Sequence, residues 1–373
     1  MPAGVKEATF ETTAYKLFKL DHGPDNQVKL TKDDALDCYR KMKVIRLMEE
    51  SASNLWKEKK VRGFCHLYSG EEACAVGIVA AMDTEDAVIT TYRCHAWAYL
   101  MKISVGDILS EITGRSTGND YGKSGSMHMY SKNFYGGCGI VGAQGPLGSG
   151  IAFAMKYRNQ KMSMNMAKLW NLPCLFICEN NGVGMGTVPK RAAANTDYYT
   201  RGDYIPGIWV DGMDLLAVRE AVRFARQYCN AGNGPLVSCA SPAQIFVGLE
   251  LSTYRFAGHC CTDVGHHYRT VEEVEEMRKR HDPIVHLSER VLTSGLATQD
   301  ELKKIDCEVE KEIADAVEVA NSENVLPVEA LYADIYANTP HIKIRGTTYD
   351  DTIVQPYATT CEIVKKLGKE ARF

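Results

Sequence analysis

The side chains with the greatest capacity for chemistry fall into a few short clusters. His66 lies in a glycine-bounded loop, residues 63–70, and His259 follows the segment Leu249 to Arg255. An imidazole has an unperturbed pKa near neutrality, so either residue suits proton movement around a substrate. A lone histidine is ordinarily a surface or core residue without a role, so the flanking residues must decide. Tyr92-Arg93 closes the short β-branched run Ala87 to Thr91. Together they offer a hydroxyl and a forked cation at the start of a functional loop. Asn180-Asn181 lies just past the apolar run Pro173 to Cys178. The loop His259-Cys260-Cys261 with His266-His267 contains zinc-ligand residue types, but adjacent cysteines point in different directions and fit tetrahedral spacing poorly. A substituted loop is the preferred reading there.

These clusters need a scaffold, and the periodicities supply one. Thr31 followed by Asp34 reads as a helix start, with Leu36, Tyr39, Met42 and Met48 at helical spacing as far as about Lys59. Further helices are expected over Glu71 to Met82, Ser104 to Thr113, Ile151 to Tyr157 and Asp214 to Cys229, and from Thr270 to about Asn321. Strands are expected over Ala87 to Thr91, Pro173 to Cys178 and Leu249 to Arg255. The stretch Gly114 to Gly150 has neither period, and so long an irregular segment in a compact domain is more often functional than idle. Strands alternating with helices predict an α/β fold, a mainly parallel sheet covered by helices on both faces. In such sheets ligands sit beyond the carboxyl ends of the strands, which puts Tyr92-Arg93, Asn180-Asn181 and the loop after Arg255 on one rim.

Bulk composition agrees with a globular protein and excludes other classes. The 373 residues are 45% apolar and 24% charged, with a formal charge of -4. That balance gives no reason to expect nucleic acid or an anionic membrane as partner. No apolar run approaches the roughly 18 residues of a membrane span. Thirteen scattered cysteines read as reduced thiols and small core residues, not as a disulfide framework. Met1 to Asp25 carries Glu7, Glu11 and Asp21, so no Arg-rich transit peptide is visible, and the expectation is a cytosolic chain or one lacking its leader.

Longer motifs are more specific. Gly63-Phe64-Cys65-His66-Leu67, Gly125-Ser126-Met127-His128-Met129-Tyr130 and Asn133-Phe134-Tyr135-Gly136-Gly137 resemble segments of the pyruvate dehydrogenase E1 alpha family. So do Gly139-Ile140-Val141-Gly142-Ala143-Gln144, Glu179-Asn180-Asn181 and Arg201-Gly202-Asp203-Tyr204-Ile205-Pro206-Gly207, in the family's order from about Ala8 to at least Ile344. The resemblance implies the thiamine-diphosphate-binding fold as one unit over 1–373, with an irregular N-terminal arm at 1–30 and a divergent tail at 345–373. It implies an alpha2beta2 heterotetramer with an E1 beta subunit, in the mitochondrial matrix. The reaction it implies is oxidative decarboxylation of pyruvate, with acetyl transfer to the lipoyl domain of E2. His66 and His259 match the family's active-site histidines. Tyr92, Arg93, Ser131, Gly139, Val141, Asn181 and Val183 match its thiamine-diphosphate contacts, with glycine-rich backbone able to approach the cofactor ring closely. Asn181 and the Val183 backbone match ligands of Mg²⁺. A branched-chain 2-oxo acid is the alternative substrate.

The chain also departs from the family. Members carry a Gly-Asp-Gly triplet about thirty residues before the Asn-Asn pair, at a strand end, and its aspartate holds Mg²⁺. Here Lys156-Tyr157 is followed almost at once by Met166-Ala167-Lys168, and Arg158 to Asn165 contains no acidic residue. About eighteen residues of the expected spacing are absent, a whole family strand and the turn after it. One close ion pair is worth roughly 4 kcal/mol at an effective dielectric near 20, so poor cofactor binding, or an inactive subunit that only binds beta, is expected. Ser238 to Gly248 are extra before the last predicted strand, a length that an exposed loop tolerates. The family's phosphorylatable serines fall at Asn195, Cys260 and His267, with Thr196 and Thr262 beside them, so kinase control is expected to be lost or rerouted.

Overall fold

The computed structural model describes residues 5–61, 63–157, 174–202, 205–233, 249–263, 265, 267–334, 342–343, 354–355 and 358–366. Three short strands come first: β1 (Glu7–Glu11), β2 (Lys16–Phe18) and β3 (Gln27–Thr31). The expected irregular arm is therefore corrected to strand over much of 7–30. Its order comes from distant pairing: β1 runs antiparallel to β3 with Phe10 opposite Val28, and β2 pairs with residues 207–209. Val28 and Leu30 point into the core, and a five-residue alternation gives little signal alone.

Helix α1 (Lys32–Lys57) starts where predicted, with the Thr31 side chain accepting from the Asp34 amide and Asp33 and Asp34 in its first turn. Its buried face, Ala35, Tyr39, Met42, Ile45, Met48, Ala52 and Leu55, repeats every three or four residues. α2 (Glu72–Val79), α3 (His95–Leu100) and α4 (Val105–Ile112) follow, the last capped by Ser104. α5 (Gln144–Tyr157) begins inside the stretch expected to be irregular, because Gly145, Gly148 and Gly150 mask its periodicity. The run Ala87 to Thr91 forms no strand ladder; Val88 makes only an isolated bridge to Phe134.

The central sheet has the order β2-β5-β6-β4, with β4 at Ile177–Asn180, β5 at Gly207–Asp211 and β6 at Leu249–Ser252. β4 and β5 both run parallel to β6, and β2 is an antiparallel edge, so the expected mainly parallel α/β sheet is present. β4 starts later than predicted and reaches Asn180, while β6 stops three residues before Arg255. α6 (Pro189–Ala192) is a single turn, and α7 (Leu215–Tyr228) packs on β5 and α2. A Cβ at Gly77 would lie 2.9 Å from Val218 Cβ, so glycine permits that close helix contact. α8 (Val271–His281), α9 (Pro283–Thr293) and α10 (Gln299–Ser322) complete the helical layer. α10 packs along α1 and α4, and a capping box of Thr298 and Glu301 starts it. In the tail, β7 (Ile342–Lys343) pairs with β8 (Val354–Gln355), and α11 (Thr360–Lys366) follows. The places of the missing family strand, 158–165, and of the extra segment, 238–248, lie outside the described residues.

Candidate active site

The carboxyl ends of β4 and β6 open onto one rim. β4 delivers Glu179, Asn180 and Asn181, and the chain leaving β6 delivers Arg255 and then His259. Two further loops close on it. The Phe256 amide donates to the Ser69 carbonyl and the Cys261 amide to the Cys65 carbonyl, both at 2.8 Å. The histidine loops are thus stitched side by side. Gly70 makes this possible: its φ is +99°, and a Cβ there would sit 2.3 Å from the Tyr254 carbonyl. The result places the rings of His66 and His259 at 5.3 Å, with Tyr92 at 4.2 Å from His66 and 5.6 Å from His259.

A cavity of about 180 Å³ lies beside these rings, lined in part by Tyr92, Arg93, Val141, Asn181, Val183 and His259. His66 stands behind its Tyr92 wall. Gly139 adjoins the lining residue Cys138 in the chain, and its amide donates to His128 Nε2 at 3.3 Å. Ser131 is not brought in: its hydroxyl donates to the Met101 carbonyl at 2.6 Å. The structure adds residues that the sequence did not single out for chemistry. Glu179 and Gln144 line the cavity, and Glu71 and Arg255 lie beside it. Glu71 read as a helix start and Arg255 as a strand end; only charge so near an apolar segment hinted at more.

Arg93 is 4% exposed and fully engaged, donating to the carbonyls of Leu67 at 2.5 Å and His259 at 3.1 Å, with Nε 3.3 Å from Glu71. Arg255 is 1% exposed and donates to the Val183 carbonyl at 2.9 Å, while its Nε is buried without a hydrogen-bond partner. Burial, then the neighbouring Glu71, pushes the Glu179 carboxyl up to about 8, so it is mostly neutral at neutral pH. Two guanidinium groups thus face the single carboxylate of Glu71, itself raised by burial. Burial and Arg93 lower His66 to about 3, and burial, Arg93 and Arg255 lower His259 to about 4. Both imidazoles are neutral at physiological pH, and His66 Nδ1 has no partner.

A polyanion fits this arrangement. The excess cation and the unpartnered buried Arg255 Nε, which costs about 1–3 kcal/mol unpaired, favour an anion at the cavity. A divalent metal does not fit the arrangement described. The Val183 carbonyl expected to hold it accepts from Arg255, and the Asn181 amide nitrogen donates to Glu71 at 3.1 Å, a bond that does not occupy its Oδ1 but leaves that oxygen without a second ligand of the expected pair. No group of three His, Cys, Asp or Glu side chains able to hold a metal occurs among the described residues, the Cys260-Cys261 loop included; His266 lies outside them. At the three expected phosphoserine positions, Asn195 braces a turn through Asp197 and Thr200, Cys260 is buried with Sγ 2.9 Å from the Thr262 hydroxyl, and His267 is exposed.

An α/β sheet with paired histidine loops at its carboxyl rim defines a class, and the comparison with known sequences agrees: the chain belongs to the dehydrogenase E1 component family, which matches residues 40–329. That family implies use of thiamine diphosphate. The chain is 56% identical over 381 residues to the Caenorhabditis elegans protein named probable pyruvate dehydrogenase E1 component subunit alpha, mitochondrial, covering 97% of this chain and 93% of that one. It is 57% identical to the Ascaris suum subunit alpha type I, mitochondrial, with the same coverage. The Homo sapiens somatic form is 49% identical over 358 residues, 91% of this chain and 89% of that one. A matched stretch of 381 residues exceeds the 373 of the chain, so the relative holds residues without a counterpart here. No helix among the described residues is long and apolar enough to cross a membrane.

Proposed function

We propose that the chain is the alpha subunit of an acetyl-transferring pyruvate dehydrogenase E1 component, working as one unit over 1–373 with an E1 beta subunit in the mitochondrial matrix. The observation that carries this is the cavity at the β4 and β6 rim, where two neutral histidines and two buried arginines converge. Bound thiamine diphosphate would supply the nucleophilic carbon and electron sink for decarboxylation of pyruvate. Arg93 and Arg255 would hold the diphosphate electrostatically, with the Tyr92 hydroxyl adding a hydrogen bond. Val141 and Gly139 would bring backbone against the cofactor's rings, and Ser131 would act only by fixing the 131–134 turn. His66 and His259, kept neutral, would take and return protons at the substrate carbonyl and its acetyl product. The acetyl group then passes to the lipoyl arm of E2.

Mg²⁺ binding through Asn181 and the Val183 carbonyl belongs to this proposal only if Arg255 releases that carbonyl. The relatives reported are named for pyruvate, which favours it over a branched-chain 2-oxo acid, and no finding favours the inactive-subunit reading. The test is co-expression with an E1 beta subunit, then pyruvate-dependent reduction of an artificial electron acceptor, with circular dichroism following cofactor titration with and without Mg²⁺. Turnover with saturable cofactor uptake is expected. No cofactor uptake by the assembled pair, at any Mg²⁺ concentration, would overturn the proposal.

A further inference from the structure

We infer that Cys261 and Cys65 form an oxidant-sensitive modification site, in which a hydroperoxide oxidises Cys261 and Cys65 resolves it to a disulfide. Four observations place the pair together. The Cys261 amide donates to the Cys65 carbonyl at 2.8 Å, and residues joined by a direct backbone hydrogen bond have Cα atoms within the range that disulfides span. The two thiols are near enough for each to shift the other's acidity. Cys261 is partly exposed, whereas Cys65 is fully buried beneath it. The flanking stitch from Phe256 to Ser69 holds the two loops in register, so closure needs little backbone movement.

The thiol chemistry agrees with that geometry. The neighbouring Cys65 thiol and the charge of His95 draw the Cys261 thiol below its ordinary value, against the effect of burial, while Cys65 is raised. An accessible, acidic thiol over a protonated buried one is the arrangement in which the first attacks an oxidant and the second resolves the product. In the first step the Cys261 thiolate attacks a peroxide oxygen. A sulfur–oxygen bond forms, the oxygen–oxygen bond breaks, and the leaving hydroxide takes up the proton lost by the thiol as water. In the second, Cys65 sulfur displaces hydroxide from the sulfenic acid, its own proton leaving in a second water. Two thiols and one hydrogen peroxide give one disulfide and two waters, with two electrons passing from sulfur to peroxide.

The position gives the modification a consequence. Cys65 precedes His66 and Cys261 lies two residues after His259, so the bond would lock the two histidine loops at their present separation. The pairing does not depend on the proposed function, because it needs neither cofactor nor substrate.

The test uses the full reduced chain and hydrogen peroxide at a dose that oxidises the exposed Cys307, followed by alkylation and tryptic mass spectrometry. The expected product joins peptides 63–93 and 256–269 with the loss of two hydrogens. It should be reversed by dithiothreitol, absent in Cys261→Ser, and retained in Cys74→Ser and Cys260→Ser, which remove the other thiol of each peptide. Cys65→Ser, if it folds, should accumulate a dimedone-reactive sulfenic acid at Cys261. Hydrogen exchange in 256–269 should slow on oxidation of the wild type but not of Cys261→Ser. Oxidation of Cys307 with Cys261 left as free thiol, or a linked product that survives Cys261→Ser, would overturn the inference.

Discussion

Two buried polar clusters are joined through Arg93 and His95, two positions apart in the chain, and they shift their histidines in opposite directions. In the first, His95 is 0% exposed, its Nδ1 2.9 Å from Glu49 and its Nε2 2.8 Å from the Ser126 hydroxyl. Glu49 uses its other oxygen to accept from the Tyr68 amide at 3.0 Å. Burial alone would depress His95, but Glu49 outweighs it and lifts the ring above its ordinary value. In the second, burial and the arginines depress His66 and His259, and the Asp263 carboxylate that accepts from the His259 amide at 2.7 Å does not outweigh them. The difference teaches where stability ends and chemistry begins. A network with each polar atom satisfied rigidifies the fold, whereas one with unpartnered atoms and a neutral base awaits a ligand.

The largest expected effect tests the satisfied cluster. Glu49→Gln removes the counter-charge that raises the buried His95 ring, and breaking a buried charged pair costs about 3–5 kcal/mol, read as a lower urea midpoint. A loss under about 1 kcal/mol would show that His95 is neutral in the fold and that the two clusters are not opposites.

Next in size is Arg255→Met. Losing one charge-assisted contact, worth about 1.5–3 kcal/mol, should weaken pyrophosphate binding roughly 10- to 100-fold by calorimetry. It should also raise the His259 pKa toward 6.5 in an NMR titration, since Arg255 helps to hold it down. An unmoved His259 would mean that burial and Arg93 set the contrast without Arg255.

The last test is the pH dependence of stability, read as the sign of a slope and not as a magnitude, and that sign separates the clusters. His66 and His259 titrate at about 3 and 4 folded against 6.5 unfolded. The unfolded chain binds more protons between these values, so their contribution is present above 6.5 and lost as pH falls toward 3. His95 is raised, so its contribution is present below 6.5 and lost as pH rises through its folded value. Urea midpoints against pH should therefore lose acid-side slope in His66→Gln and alkaline-side slope in His95→Gln. Equal changes on one side would collapse the distinction.

The sequence by itself determined whatever rests on local pattern. The Thr31 cap and the apolar stripe from Ala35 to Leu55 specify α1, because cap and period lie within one segment. The motifs from Gly63 to Gly207 specified the family for the same reason, and Tyr92-Arg93, Asn180-Asn181 and the loop after Arg255 were assigned to one rim from strand order, whereas the His66 loop was not. Tertiary structure decided what depends on partners far along the chain. Within 7–31, β1 and β3 form by pairing with each other and β2 because β5 accepts it, and α5 forms despite its glycines. Above all, the state of each histidine was invisible in sequence. An imidazole's charge follows from the groups packed against it, and Glu49, Glu71 and Arg255 reach those places only when helix, loop and sheet rim come together.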